Sequence, residues 1–196
     1  MSRRPGSYTK GVAKREEILT AALQVIAEKG YRGASVREIA DAAGISQAGI
    51  LYYFSSKEEL FAEILRKRDE LDSAAYVDDK PGHWLGTMLQ VMQHDTEVPG
   101  LSQLYAQLSA EATDPEHAAR QFFADRFEKF QQVLADDIRV QQAAGAISPD
   151  LDPERFGRIA LAIADGMQLQ WLIDPGVDMV DHIRYALGLL AGRPTD

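Results

Sequence analysis

Apolar residues recur along this chain at three- and four-residue intervals almost from end to end, and runs of alternating β-branched residues are missing. Ile18, Ala21, Ala22, Val25 and Ile26 form one apolar stripe, which predicts a helix over about 14–29. Gly30 fits the left-handed position that stops it. A short second helix should begin after Ser35. There Ser35 and Glu38 have capping-box spacing, and Val36, Ile39, Ala40 and Ala43 share a face. Gly44 breaks that helix, Ser46 caps a third, and Ser56 with Glu59 makes a second capping box for a fourth. Leu60, Phe61, Ile64, Leu65 and Leu71 supply apolar contacts of this longer helix. Val77–Gly82 is read as a loop, and further helices are expected at about 83–94, 100–112, 116–144, 153–173 and 178–191. Asp114-Pro115-Glu116 and Asp152-Pro153-Glu154 each offer an N-cap, a proline at the first helical position and an acid beside it. The fold class predicted is all-α, about nine helices, with a three-helix head joined through the fourth helix to a larger helical body. No 20–50-residue period repeats.

Composition narrows the class. The 196 residues are 45% hydrophobic, enough to bury a core, and 26% charged. The most apolar run, Ile159–Ile173, is interrupted by Asp165, Gln168 and Gln170, so no membrane span is expected. The basic N-terminus is not followed by the apolar stretch of a secretory signal. Zero cysteines exclude disulfides, thiolate metal sites and a Cys nucleophile. These features read as a soluble protein of a reducing compartment, the cytoplasm.

Net charge is −9, which argues against a nucleic-acid partner until the chain is split. Residues 1–57 hold nine Lys/Arg against five Asp/Glu, while residues 58–196 hold twelve against twenty-five. The basic groups at the front include Arg3, Arg4, Lys10, Lys14, Arg15, Arg32, Arg37 and Lys57. This asymmetry fits a polyanion-facing head on an acidic body, or a basic tail with no partner.

Ser35–Phe54 is the segment that decides between them. Two short helices joined by Gly44-Ile45 have helix-turn-helix spacing. Ala40 is small where the helices would cross, and Gly44 can take the positive φ of a tight turn. In such a unit the second helix enters the major groove with its N-terminal residues on the bases. Here those residues are Gln47, Ala48 and Gly49. Gln suits adenine, Ala suits a thymine methyl, and Gly admits close backbone approach. Ser35, Ser46 and Lys57 stand at helix starts, where free N–H groups favour phosphate. Arg37, Tyr52 and Tyr53 add donors for the DNA backbone. The same pattern would also serve an ordinary αα-hairpin.

Residues 14 to about 72 resemble the DNA-binding domain of TetR/AcrR-type bacterial transcription regulators. Arg15-Glu16-Glu17-Ile18-Leu19, Lys29-Gly30-Tyr31-Arg32-Gly33-Ala34-Ser35-Val36-Arg37-Glu38-Ile39-Ala40, Ala43-Gly44-Ile45-Ser46, Tyr52-Tyr53-Phe54 and Ser56-Lys57-Glu58-Glu59-Leu60 carry the resemblance. It implies a repressor-like homodimer on a palindromic double-stranded operator, with residues 1–56 as DNA-binding domain and 57–196 as ligand-binding and dimerisation domain. One departure matters. Many members have Leu-Tyr-Tyr-His-Phe in the recognition helix, where this chain has Ile50-Leu51-Tyr52-Tyr53-Phe54. The DNA contacts of Tyr52 and Tyr53 carry over; a polar contact from Leu51 does not.

For the body, the resemblance implies a pocket for a small apolar or amphipathic effector. Trp84, Met88, Met92, Tyr105, Leu108, Phe123, Phe127, Met167 and Trp171 are candidate lining residues, and each would equally serve a plain core. Gly157, Ala160, Ala164, Ala186 and Leu189 mark the last two helices as a dimer interface, the competing reading being packing within one chain. His83, His94, His117 and His182 do not cluster at metal spacing. No catalytic constellation, cofactor motif or phosphate loop is present. A non-enzymatic, ligand-responsive regulator is therefore expected, its rivals being a protein-interaction adaptor and a helical-bundle enzyme.

Overall fold

The computed structural model describes the backbone of residues 5–76 and 83–192, with side chains from residue 10 onward. The expected loop Val77–Gly82 and the basic pair Arg3 and Arg4 lie outside the described residues. Among those residues there are nine helices and no strand: α1 (Pro5–Gly33), α2 (Val36–Ala42), α3 (Gln47–Tyr53), α4 (Lys57–Tyr76), α5 (Trp84–Asp95), α6 (Pro99–Glu111), α7 (Arg120–Ala143), α8 (Pro153–Ile173) and α9 (Met179–Leu190). The all-α class is as the periodicity predicts.

Local chemistry explains most boundaries. Gly30 takes φ 69° and ends the regular part of α1. Asp152 Oδ1 accepts the Arg155 N–H at 3.0 Å with Pro153 in the first turn of α8, and Asp178 does the same for Asp181 in α9 at 2.9 Å. Two starts differ from expectation. Helix α1 begins at Pro5, nine residues before the first predicted position, with proline at its first turn. Asp114-Pro115-Glu116 does not open α7. The Asp114 carboxylate takes the Glu116 N–H two residues on, at 2.9 Å, which closes an Asx turn instead of capping a helix. α7 starts later, behind His117, whose Nδ1 accepts the Ala119 N–H at 3.2 Å.

The chain forms two compact units. The first comprises Met1–Glu70 and Pro99–Ala119; the second comprises Leu71–Val98 and Arg120–Asp196. In the first, Ile18, Ala22, Ile26, Ile39, Ile50, Phe54, Leu60, Ile64, Leu104 and Leu108 are buried. Here α6 lies against α1 so closely that a Cβ on Gly100 would sit 2.5 Å from the Ile26 carbonyl oxygen. In the second, Met88, Leu134, Ile138, Phe156, Ala160, Ile183 and Leu187 join α5, α7, α8 and α9 in one core. Gly157 brings α8 onto α7, where an added Cβ would meet the Gln131 carbonyl at 2.6 Å. Leu71, expected among the contacts of α4, is instead half exposed.

Two buried carboxylates of the second unit accept hydrogen bonds from other elements or turns. Asp137 of α7 accepts from the Trp84 N–H at 3.2 Å and from Gln141 Nε2 at 2.8 Å. It thereby caps α5, whose N-cap residue His83 supplies no side-chain bond of its own. Asp95 is fully buried and accepts from Gln168 Nε2 at 3.0 Å.

Candidate nucleic-acid interface

The turn between α2 and α3 is a complete Schellman stop. Gly44 has φ 66°, its N–H bonds the Asp41 carbonyl at 3.2 Å, and the Ile45 N–H reaches back to Ala40 at 3.0 Å. Lys14 Nζ donates to the Ala43 carbonyl at 2.9 Å, so α1 holds the end of α2 from across the unit. At the start of α2 the capping box closes as predicted: Glu38 N–H to Ser35 Oγ at 3.2 Å, and Ser35 N–H to Glu38 Oε2 at 3.1 Å. Ser46 Oγ accepts the Gly49 N–H at 3.1 Å and sets the start of α3. At α4 the box is split. Ser56 Oγ accepts the Glu59 N–H at 3.0 Å, whereas the Glu59 carboxylate reaches back to the Ser55 N–H at 2.7 Å and to the Ser55 hydroxyl.

These caps fix which face of α3 is free. Ile50 is 1% exposed and Phe54, at the C-cap, is buried. Gln47, Ala48, Leu51 and Tyr52 face outward; Tyr52 is 82% exposed and meets Tyr53 edge-to-face at 5.1 Å. Gly49 and Tyr53 are half-buried. A Cβ on Gly49 would meet Ile45 Cβ at 3.4 Å, so packing inside the chain does not force glycine there. Of the flanking residues, Ser35, Arg37, Ser46 and Lys57 are exposed. Arg37 lies 3.9 Å from Asp41, and Lys57 Nζ sits 5.1 Å above the Phe61 ring.

The basic excess of the head divides into two kinds. Lys14 pairs with Glu17 at 2.9 Å, Arg15 with Glu63 at 2.8 Å and Lys29 with Glu38 at 2.8 Å. Arg15 also stacks 4.7 Å above the Phe54 ring. These cations tie α1 to α2 and α4, a role their composition did not reveal. Lys10, Arg32, Arg37 and Lys57 remain exposed. The hydrogen bond from Lys29, assisted by the Ser35 N–H, holds the Glu38 carboxyl below its ordinary range, and the same bond raises Lys29. Glu59 is likewise held down, chiefly by the Ser55 hydroxyl.

The residues assigned to an effector pocket fall in both units. Tyr105 and Leu108 are buried in the first. Trp84, Met88, Met92, Phe123, Phe127, Met167 and Trp171 belong to the second. There Trp84 meets Phe130 at 5.5 Å, Phe123 meets Phe127 at 6.1 Å, and Met92 and Met167 pack against Trp171 and Met179. Sequence reading missed Asp95, because Asp95-Thr96-Glu97 looks like a polar helix end. Of the interface candidates, Gly157, Ala160 and Ala164 are buried within the chain, Ala186 is half-buried and Leu189 is exposed. Among the described residues no group of three His, Asp or Glu is placed to hold a metal.

The family model "Bacterial regulatory proteins, tetR family" matches residues 18–64, which span the stripe of α1, the helix-turn-helix and the start of α4. The chain is 32% identical over 138 residues to the HTH-type transcriptional repressor AcnR of Corynebacterium efficiens, covering 70% of this chain and 68% of that one. This chain belongs to the TetR family. A TetR-family transcriptional regulator from Rhodococcus sp. superposes with a TM-score of 0.72 at 27% identity, over 91% of this chain and 98% of that one. A transcriptional regulator from Saccharomonospora viridis, solved in complex with choline, superposes with a TM-score of 0.66 at 26% identity, over 90% of this chain and 94% of that one. As a TetR-family member the protein is a DNA-binding transcription regulator with an N-terminal helix-turn-helix, and not an enzyme.

Proposed function

We propose that this TetR-family protein is a cytoplasmic repressor. It binds a palindromic operator as a homodimer and leaves it when a small apolar or amphipathic effector occupies the body. The exposed face of α3 carries the reading. Gln47 and Ala48 stand free at its N-terminal end while Ile50 and Phe54 lock its other side. Gln47 bonds adenine, Ala48 touches a thymine methyl, and Gly49 leaves room for the DNA backbone. Ser35, Arg37, Ser46, Tyr52, Tyr53 and Lys57 take the flanking phosphates. Residues 1–56 do the reading, and residues 57–196 bind effector and dimerise. AcnR is a transcriptional repressor, which supports the sign of regulation.

Exposed apolar positions support the dimer. Ile159, Ala162, Gly166, Leu169 and Ile173 recur on α8 at alternating four- and three-residue steps, all exposed, and Tyr185 and Leu189 are exposed on α9. With Gly157, Ala160 and Ala164 used inside the chain, these residues join Leu189 and Ala186 as the surface for a second copy. The effector site draws on the candidates of the second unit, Trp84, Met88, Met92, Phe123, Phe127, Met167 and Trp171, whereas Tyr105 and Leu108 serve the core of the first. The choline held by the Saccharomonospora viridis relative supports a small-molecule effector as a class. A tenfold release needs about 1.4 kcal/mol of differential affinity between the two states. No helix among the described residues is long and apolar enough to cross a membrane.

Selection from a random double-stranded DNA pool at ~150 mM salt tests the proposal, since non-specific phosphate binding weakens with salt. A palindrome should be enriched, with half-site centres one helical turn (~34 Å) or a multiple apart. An unenriched pool, also after unfolding and refolding to strip bound ligand, would overturn it.

A further inference from the structure

Leu51 is the residue on which this chain departs from the common recognition-helix pattern, and its setting gives the departure a chemical meaning. It is 57% exposed, while Ile50 beside it is 1% exposed. α3 has only seven residues, and its outward face consists of Gln47, Ala48, Leu51 and Tyr52. Positions 47 and 51 are four apart and positions 48 and 51 three apart, so these side chains are neighbours on one face. A helical leucine leans toward the N-terminus of its helix, over the turn that precedes it. Here that is the turn carrying Gln47 and Ala48, the part of α3 that faces bases. Single exposed leucines are ordinary on protein surfaces. This one is among the four residues that make up the outward face of a reading helix.

We infer that Leu51 is a specificity-determining residue that reads the C5-methyl group of a thymine in the major groove. The inference rests on the reading of α3 as the base-contacting helix. An isobutyl group neither donates nor accepts a hydrogen bond, so the edges of adenine, guanine and cytosine offer it nothing that it can distinguish by bonding. The thymine methyl is the apolar feature of the major groove. With the Ala48 methyl at its side, Leu51 forms a small apolar step next to the amide of Gln47. The half-site should therefore carry a thymine adjacent to the base pair that Gln47 reads. Leu51 acts through desolvation of that methyl, whereas a tyrosine in its place would add a polar contact.

The experiment takes the sequence enriched by selection and replaces each thymine of a half-site in turn by deoxyuridine, which deletes only the C5-methyl group. Affinity of the full chain is measured by fluorescence anisotropy for the wild type, Leu51→Ala and Leu51→Met. At one or two positions the replacement should weaken the wild type about threefold to fivefold, the size expected for one buried methyl group. Leu51→Met should keep that sensitivity and Leu51→Ala should lose it at the same position. Because Leu51 is exposed, both variants should fold, which circular dichroism checks. Equal uracil penalties in wild type and Leu51→Ala at every position would overturn the assignment while leaving DNA recognition intact. Failure to enrich any sequence would overturn the DNA reading and Leu51 with it.

Discussion

Gly100 of α6 approaches the carbonyl oxygen of Ile26 in α1 so closely that an added Cβ would lie 2.5 Å from it, and 2.9 Å from the Gly30 Cα. Both obstacles are backbone, so neither can rotate away. Gly100→Ala must push the two helices apart and should destabilise the first unit by about 1–3 kcal/mol, the usual cost of overpacking. Gly86→Ala is the matched comparison. Gly86 is helical and exposed, with nothing within 4 Å of its Cβ position, so alanine there should be neutral or stabilising by up to about 1 kcal/mol. Thermal unfolding of the two variants checks the pair; equal melting temperatures would show that the α1–α6 approach relaxes freely.

That approach is also where sequence reading stops. The helices of the head were legible because each boundary is written locally: Ser35 with Glu38, Gly44 with its positive φ, Ser46 three residues before Gly49. Gly100 and Gly157 carry no such mark, since what makes each of them glycine is a carbonyl far away in the chain. Lys14 is similar. Its bond to Ala43 spans 29 residues, and in the sequence it counts only as one more basic group of the head. Small residues on α8 likewise pointed to a second copy, whereas Gly157, Ala160 and Ala164 serve the chain's own core. The outward face of α3 was legible because buried and exposed positions alternate there with the period of a helix.

Gln47 and Lys57 should fail in different ways when truncated. Gln47→Ala removes a base contact, so it should cost about 1–3 kcal/mol on the preferred sequence and relax preference at one position only. Lys57→Ala removes a charge that lies over the Phe61 ring at the start of α4. It should weaken all sequences alike and lower the slope of log affinity against log salt by about 1. Titrations of both variants against the preferred operator and single-base variants, each at several salt concentrations, separate the two roles. Identical profiles would mean that α3 is not the reading helix.

Acid should loosen the head through Glu38. Its carboxyl titrates below the ordinary value of 4.5 because it accepts from Lys29 and from the Ser35 N–H. A depressed carboxylate contributes stability that is complete above its unfolded value and is lost as pH falls through the folded one. Lys29, raised above 10.5 by the same bond, contributes below that value and loses its part as pH rises through the folded one. The pair therefore contributes fully between about 4.5 and 10.5. Glu38→Gln keeps an acceptor for the Ser35 N–H and removes the charge together with the oxygen that accepts from Lys29. Its melting temperature should lie slightly below the wild type across that window, and the gap should close on acidification below 4.5. Lys29 is exposed and Glu38 only half-buried, so solvent screens the pair and added salt should also narrow the gap. A gap independent of pH would assign the effect to the cap and not to the ion pair.

A glutamate at Leu169 tests the proposed dimer most directly. Leu169 is 52% exposed in the middle of the outward series Ile159, Ala162, Gly166, Leu169 and Ile173 on α8. A charge there costs little in a monomer, where water reaches it, but much in an interface that must desolvate it. Leu169→Glu should therefore fold with an unchanged helical content and sediment as a monomer where the wild type is a dimer. Operator affinity should fall by on the order of 10²–10⁴, because each head then binds without the effective concentration its twin supplies. Val140→Glu, on the exposed side of α7, introduces the same charge away from that series and should leave both assembly and affinity unchanged. If both variants remained dimers with full operator affinity, the second copy would have to dock elsewhere, and the exposed series on α8 would need another partner.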